Sequence, residues 1–270
     1  MSMLWELDFV RSALLISVVV GLLLSYLGVH VVRRGIVFVD LALGQISMLG
    51  VAFAEFMQLE STVVAIVFTL IGAFALSFIK VTDPRLKLEA IIGIIYAVSS
   101  ALTVLLISKA AHGDSDISEV LFGSFFTIAD GEILQTIAVF GAIGLLHLVF
   151  RKQFFGITRK FQENVHDVGS FDFWNFMFYI TLGLAIVLAV RVGGVIPVFT
   201  YLVVPSVCGI LVAKRGVVVV VAALVVRVFG SVLGIYFSVI GDFPAGPSIV
   251  TVLGTLFALA AGIRLARRRG

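Results

Sequence analysis

The chain has 270 residues, of which 61% are hydrophobic and 13% are charged, and its formal net charge is +3. Soluble domains carry about 25% charged and about 45–50% apolar residues, so a water-soluble globular domain is excluded. In lipid, every backbone polar group must be paired within a helix or a closed barrel. The apolar segments are long and do not alternate with a period of two. They therefore predict an all-α, polytopic integral membrane helical bundle.

A transmembrane helix needs roughly 20 apolar residues, and the sequence offers about nine such segments. The turn between the seventh and eighth segments must be tight, because only Lys214, Arg215 and Gly216 separate them. No linker or soluble region interrupts the series, so a single transmembrane domain over 1–270 is expected. The predicted spans are 9–29, 36–57, 62–79, 89–109, 132–150, 173–192, 196–213, 216–240 and 248–264.

Basic residues collect at one set of predicted helix ends, and such a bias marks the cytoplasmic side of a membrane protein. The opposite ends hold only Arg11, Lys109 and Arg191. This asymmetry predicts an N-terminus outside, a C-terminus inside and an odd number of spans. The residues at the inner ends are Arg33, Arg34, Lys80, Arg85, Lys87, Arg151, Lys152, Arg159, Lys160, Lys214, Arg215, Arg264, Arg267, Arg268 and Arg269.

Two loops are long enough to have roles of their own. The outer loop, 110–131, is acidic and contains an apolar piece too short to span a bilayer, so a re-entrant or interfacial helix is predicted within 117–128. The inner loop, 151–172, is basic at its start, and a turn is predicted there at Gly156 and Ile157.

Polar residues within spans are costly and mark candidate functional sites, and the second predicted helix has the most of them. Asp40 and Ser47 are seven positions apart and share a helix face, whereas Gln45 lies roughly 140° from Asp40. One interpretation is that Asp40 faces a translocation path. The alternative is that Asp40 caps backbone amides or pairs with Arg33 or Arg34.

Three further residues within spans are candidates for the same path. Arg227 lies in the middle of the eighth span and must pair or face water, with Asp40 and Glu55 as possible partners. Pro205 interrupts the seventh span and frees a carbonyl one turn earlier, which could coordinate an ion or mark a hinge. Cys208 is either a soft metal ligand or an inert small hydrophobic residue.

The sequence gives little support to an enzyme. It contains no Gly-x-x-x-x-Gly-Lys-Ser/Thr loop, so it predicts no ATP hydrolysis by the chain itself. Its four histidines and single cysteine show no zinc-finger spacing. The candidates are thus transport residues, and no catalytic residue is predicted.

Five segments, in order and over most of the chain, carry a resemblance to a known family. The stretch from Arg33 to Ala52 resembles the second-helix signature of the zinc/manganese/iron ABC permeases, in which a basic pair precedes D-A-x-S-H-x-x-L-x-G-V-A. The other segments resemble the family patterns L-F-G-N/S, G-V-L-L-x-x-A-L-L-x-x-P and G-L-x-x-S-Y-x-x-D-x-P-x-G, and they occupy 121–124, 194–205, 234–238 and 242–246.

The resemblance implies an ABC importer permease in the inner (plasma) membrane that works as a homodimer. Two cytoplasmic ATPase subunits would use ATP, and an extracytoplasmic solute-binding protein would deliver a divalent transition-metal ion. No permanently bound cofactor and no nucleic acid are implied. The ATPases would dock on a short helix at about 157–170, where Glu163 and Gly169 match the family pattern D-P-E-x-A-x-x-x-G and Val168 precedes the glycine.

The chain departs from the family signature at one informative place. The family's Ser-His pair is Gly44-Gln45 here, so an amide oxygen replaces an imidazole, while Asp40 is retained as the candidate metal ligand. An oxygen ligand is harder than imidazole, which favours manganese or iron, or a chelate, over zinc.

Three other interpretations remain at this point. One is an ABC permease for an iron chelate, haem or corrinoid, although those relatives usually have ten spans. Another is a stand-alone ion channel or proton-coupled carrier, which would need paired, deeply placed carboxylates. The last is a structural membrane subunit in which Asp40 and Arg227 only hold helices together.

Overall fold

The computed structural model describes residues 8–79, 85–109, 130–162 and 172–269. Over these ranges the chain forms ten helices and no strand. They are α1 (Asp8–Arg34), α2 (Val39–Met57), α3 (Ser61–Phe78), α4 (Leu88–Ile107), α5 (Asp130–Val149), α6 (Arg151–Gln162), α7 (Phe173–Gly193), α8 (Val195–Val212), α9 (Gly216–Gly241) and α10 (Ala245–Arg269).

The predicted all-α membrane bundle is confirmed. Within the described ranges, every helix except α6 is long and apolar enough to cross a membrane, which gives nine candidate spans. The largest differences in bounds are at α10, which begins at Ala245 and continues beyond residue 264 to Arg269, and at α1, which continues beyond residue 29 to Arg34. Basic side chains are favourable in the last turn of a helix, and Gly35, at φ +68°, ends α1 in the left-handed conformation that glycine adopts most readily.

The predicted turn at Gly156 and Ile157 is wrong, because both residues lie inside α6. A glycine is tolerated there since the opposite face of α6 is anchored by the buried side chains of Phe154, Ile157 and Thr158. The predicted docking residues Glu163, Val168 and Gly169 lie outside the described residues. The same is true of the predicted re-entrant segment at 117–128.

The helices pack in two groups. In the first, α1, α8 and α9 pack against one another, and α10 covers α8 and α9. In the second, α2 packs against α3 and α4. Helix α7 lies between them, since it packs mainly on α3 and also contacts α1, α2 and α8. Helices α5 and α6 lie against α1 and α7.

The burial of the spans fits this arrangement. Most of α1 and α7 is buried, whereas α3, α4 and α10 expose most of their apolar side chains. Broad exposure of apolar side chains on outer helices is expected of a protein whose solvent is lipid.

The turn from α2 to α3 is stabilised by a side-chain cap. Both oxygens of the Glu60 carboxylate accept hydrogen bonds from N–H groups in the first turn of α3, at 3.0 Å from Thr62 and 2.6 Å from Val63. These hydrogen bonds, with the side chain of Thr62, hold the pKa of Glu60 below its ordinary value. The cap fixes the direction in which the chain enters α3 after the turn from α2.

Candidate functional site

Asp40 lies in the first turn of α2 and is almost fully buried, with 2% of its surface exposed. The helix has no side-chain cap at its N-terminus, and the carboxylate is approached by the backbone N–H groups of Leu41 and of Asp40 itself. Among the described residues, no cation and no other side chain pairs with it. The proposed ion pair with Arg33 or Arg34 is therefore not formed, and Asp40 is a buried carboxylate without a side-chain partner.

The same face of α2 lies against the junction of α7 and α8. A side chain at Gly44, one turn after Asp40, would lie 3.7 Å from Val195 and 3.8 Å from Val190, which are ordinary van der Waals distances. Ser47, a further turn along, is also buried. We call this contact the seam. One side of it is the face of α2 that carries Asp40, Gly44 and Ser47, and the other side is the valines of α7 and α8. The seam lies where the two helix groups meet.

Gln45, about 140° around α2 from Asp40, is buried, with 7% of its surface exposed. An aromatic pair connects the start of α2 to α8. Phe38, which precedes α2, stacks on Phe199 of α8 with ring centroids 6.4 Å apart and planes within 11° of parallel. The sequence pattern did not single out this aromatic pair, because the two phenylalanines belong to distant segments of an apolar chain.

Arg227 is buried in the first helix group. The residues that form its hydrogen bonds and its aromatic contact belong to the same group. One terminal nitrogen donates hydrogen bonds to the carbonyl and the hydroxyl of Ser17, at 2.9 Å and 3.1 Å. The guanidinium carbon lies 3.7 Å from the centroid of the Tyr201 ring, and the side chain fills the space left by Gly21. No carboxylate among the described residues pairs with Arg227, so neither Asp40 nor Glu55 is its counter-charge.

Pro205 and its surroundings are also part of the packing in the first group. The proline removes the N–H that would bond the Tyr201 carbonyl, and the hydroxyl of Ser25 on α1 donates to that carbonyl instead, at 3.1 Å. In return, the hydroxyl of Ser206 donates to the Ser25 carbonyl at 2.9 Å. Cys208 is buried in the same helix. The structure thus places Pro205, Cys208 and Arg227 in one helix group and Asp40 in the other.

A buried polar cluster lies where α1, α6 and α7 meet, and the sequence analysis did not identify it. The hydroxyl of Thr158 on α6 is 2.8 Å from Nδ1 of His30 and accepts a hydrogen bond from Nε of Arg34 at 3.0 Å. Arg34 also donates to the side-chain oxygen of Asn175 on α7, at 3.1 Å. We call these four residues the Arg34 cluster. Its sequence signal is the spacing of Tyr26, His30 and Arg34, which places three polar residues on one face of an apolar helix.

The described residues contain no group of three or more His, Cys, Asp or Glu side chains that could hold a metal ion. Asp40 is therefore a single carboxylate and not part of a complete ligand set among the described residues.

Comparisons with known proteins find relatives over nearly the whole chain. The family model described as "ABC 3 transport family" matches residues 6–264. A manganese transport system membrane protein, MntC, from Halalkalibacterium halodurans is 26% identical over 255 residues, which cover 94% of this chain and 86% of that protein. A probable iron transport system membrane protein from Haemophilus influenzae is 26% identical over 257 residues, covering 94% and 89%. The structure of PsaBC from Streptococcus pneumoniae in complex with Fab superimposes with a TM-score of 0.79 at 26% identity, covering 95% of this chain and 92% of that one.

Proposed function

The chain belongs to the ABC 3 transport family, and from that premise we propose that it is the permease subunit of an importer for a divalent transition-metal ion, with manganese or iron preferred over zinc. The observation that carries this proposal is Asp40, a carboxylate buried in a candidate span without a side-chain partner. The names of the relatives support the class of substrate, because they are described as manganese and iron transport proteins.

The chemistry of the α2 residues supports the choice of metal. A buried carboxylate without a counter-charge is costly, and a cation that enters its surroundings offsets that cost. Asp40, Gln45 and Ser47 offer carboxylate, amide and hydroxyl oxygens, which suit manganese better than a metal that prefers imidazole or thiolate. We therefore propose Asp40 as a metal ligand and Gln45 and Ser47 as residues of the path.

The seam provides a place where the path could open. The contacts that the structure describes at Gly44 are with the apolar side chains of Val190 and Val195. Separating apolar side chains breaks no directional bond, so α2 could move relative to α7 and α8 without a large loss of hydrogen bonds. In this proposal, relative tilting of the two helix groups exposes Asp40 to alternate sides of the membrane, and Pro205 serves as a hinge in α8.

The working unit follows from the family. We propose that two copies of the chain form the path, so that two Asp40 carboxylates contribute to it, and that two separate ATPase subunits hydrolyse ATP. They would dock on the segment 151–172, through Glu163, Val168 and Gly169, while a solute-binding protein docks on the opposite side. The basic helix ends support a cytoplasmic position for this docking segment and for the C-terminus.

Reconstituted transport tests this proposal. The chain would be placed in liposomes with its partner ATPase, and manganese uptake would be measured with the matching binding protein present. We expect ATP-dependent uptake that iron inhibits more strongly than zinc. A complex whose ATPase lacks its phosphate-loop lysine is the control and should show none. If a complex with an active ATPase takes up none of the three metals, the proposed function is wrong.

A further inference from the structure

The Arg34 cluster connects α6 to both helix groups. Through Thr158, α6 bonds to His30 and Arg34, which belong to α1 in the first group. Through Asn175, Arg34 is connected to α7, and the amide nitrogen of Asn175 donates to the carbonyl of Ser77 in the last turn of α3 at 3.2 Å. Helix α3 packs on α2 in the second group. A movement of α6 therefore reaches both groups through one set of hydrogen bonds.

One hydrogen-bond direction within the cluster is fixed by its chemistry. The guanidinium of Arg34 has no acceptor, so the Thr158 hydroxyl accepts from it, whereas the direction of the hydrogen bond between Thr158 and Nδ1 of His30 depends on the histidine tautomer. The cation also lies over the ring of Phe178, with its central carbon 3.8 Å from the ring centroid. Hydrogen bonds from a buried charged group are stronger than neutral ones. The link between α6 and α1 is thus short, directional and stiff.

The cluster adjoins the turn that leads to Asp40. Arg34 is the last residue of α1, and Gly35 turns the chain with φ +68°. The N–H of Val37 donates to the Glu89 carboxylate at 3.2 Å, which attaches the turn to the start of α4. Asp40 follows in the first turn of α2. Only five residues lie between Arg34, whose guanidinium is held by α6, and Asp40, whose carboxylate lies at the seam.

The surroundings of the Arg34 cluster are unsuited to a metal ion. His30 of the cluster and His147 of α5, which both lie against the ring of Tyr26, are buried, and each has one ring nitrogen without a hydrogen-bond partner. The Arg34 guanidinium acts electrostatically on both histidines. A cation placed between the two imidazoles would be repelled by it, so a mechanical role fits the cluster better than a binding role.

We propose that Thr158 and Arg34 form a coupling joint that passes movement of α6 to the α1–α2 turn and so positions Asp40 during each transport cycle. The joint rests on the proposed function, because it needs an ATPase that moves the segment containing α6. Both residues are positioning residues that do not touch the ion. If the joint is lost, we expect ATP hydrolysis to continue while less metal is transported for each ATP. The ATPase should stay bound to the permease.

Replacement of one hydroxyl by a methyl group tests the joint. In the reconstituted complex, Thr158→Val should lower the amount of manganese imported per ATP hydrolysed by about tenfold, in line with the loss of a hydrogen bond to a charged group. ATPase activity and co-purification of the ATPase should stay as in the wild type. Thr158→Ser keeps the hydroxyl and should retain the wild-type ratio. Thr69→Val is the matched control, because that buried hydroxyl bonds only to the Ala65 carbonyl of its own helix, at 2.7 Å.

Several results would overturn the joint. An unchanged ratio of manganese to ATP in Thr158→Val would do so, and so would loss of the ATPase on purification, since that would make Thr158 a docking contact. If Thr158→Val does not fold, Arg34→Lys provides the test. It keeps the positive charge but loses the planar set of guanidinium donors, and it should show the same fall in the ratio of manganese to ATP. If the wild-type complex takes up no metal, the proposed function itself is wrong. If the wild-type complex transports and both variants keep the wild-type ratio of manganese to ATP, only the joint is wrong.

Discussion

Asp40 and Arg227 are both charged side chains buried inside candidate spans, yet their surroundings differ. One terminal nitrogen of Arg227 donates two hydrogen bonds to Ser17, and an aromatic ring lies beneath the guanidinium. The Nε atom and the other terminal nitrogen of Arg227 have no hydrogen-bond partner. Asp40 has no side-chain partner at all among the described residues. A buried charge with some protein partners contributes to packing, whereas one without any costs stability and needs another explanation. The comparison therefore favours a packing role for Arg227 and makes Asp40 the functional candidate.

The two helix groups show the same contrast. Contacts between α1 and α8 are close and hydrogen-bonded, since Ser25 donates to the Tyr201 carbonyl, Ser206 donates to the Ser25 carbonyl, and Gly28 lies against the Leu202 carbonyl. At the seam, by contrast, Gly44 faces the apolar side chains of Val190 and Val195 with room for a methyl group between them. A hydrogen-bonded crossing resists displacement more than an apolar one, so the first group is the rigid part and the seam is the place where movement costs least.

The largest expected effect is loss of stability in Arg227→Ala. The change leaves a cavity beside Gly21 and removes a donor from the Ser17 carbonyl, so we expect the free energy of unfolding to fall by about 2–5 kcal/mol. Equilibrium unfolding in detergent measures this. Arg191→Ala is the control, because Arg191 is partly exposed and pairs with an exposed Glu132; it should change stability by less than about 1 kcal/mol. Equal effects of the two changes would contradict a structural role for Arg227.

A smaller loss is expected at the crossing of α1 and α8. In Gly28→Ala the new methyl group would collide with the Leu202 carbonyl oxygen, and such overpacking costs about 1–3 kcal/mol. Gly93→Ala is the matched control, because no atom lies within 4 Å of that methyl position in α4. It should be neutral or slightly stabilising, since alanine favours a helix over glycine. The rigidity assigned to the first group would be refuted if the melting temperatures of the two variants were the same.

The smallest effect on stability is expected at Asp40. Replacing the carboxylate by an amide in Asp40→Asn removes a buried charge that has no side-chain partner, so the free energy of unfolding should equal or exceed that of the wild type. Chemical denaturation in the same detergent provides the comparison with Arg227→Ala. A loss of about 2 kcal/mol or more would show that Asp40 has a stabilising partner and would remove the contrast between the two charges.

The architecture was largely predictable from the sequence because hydropathy and helix length act locally. The spans were found to within a few residues, apart from the longer ends of α1 and α10. The turn at Gly156 was misassigned because a glycine signal is also local, whereas α6 is stabilised by the buried side chains of Phe154 and Thr158. Tertiary burial overrode a local preference in that segment.

The candidate site was only partly predictable. Asp40 was found because a carboxylate in a span is conspicuous, but its lack of a side-chain partner is a property of the packing. The partners of Arg227 lie on α1 and α8, more than 200 residues and about 25 residues away along the chain, and no spacing rule connects them. The Arg34 cluster escaped notice for the same reason, since Thr158 and Asn175 are distant in sequence from Arg34.

The central claim is that the Asp40 carboxylate serves transport and not folding. The most direct test is ATP-driven manganese uptake by Asp40→Asn in the reconstituted complex, measured beside Glu132→Gln, which neutralises an exposed carboxylate. We predict that uptake by Asp40→Asn falls to background while the variant stays folded and bound to its ATPase, and that Glu132→Gln transports at the wild-type rate. Wild-type uptake by a folded Asp40→Asn would contradict the claim.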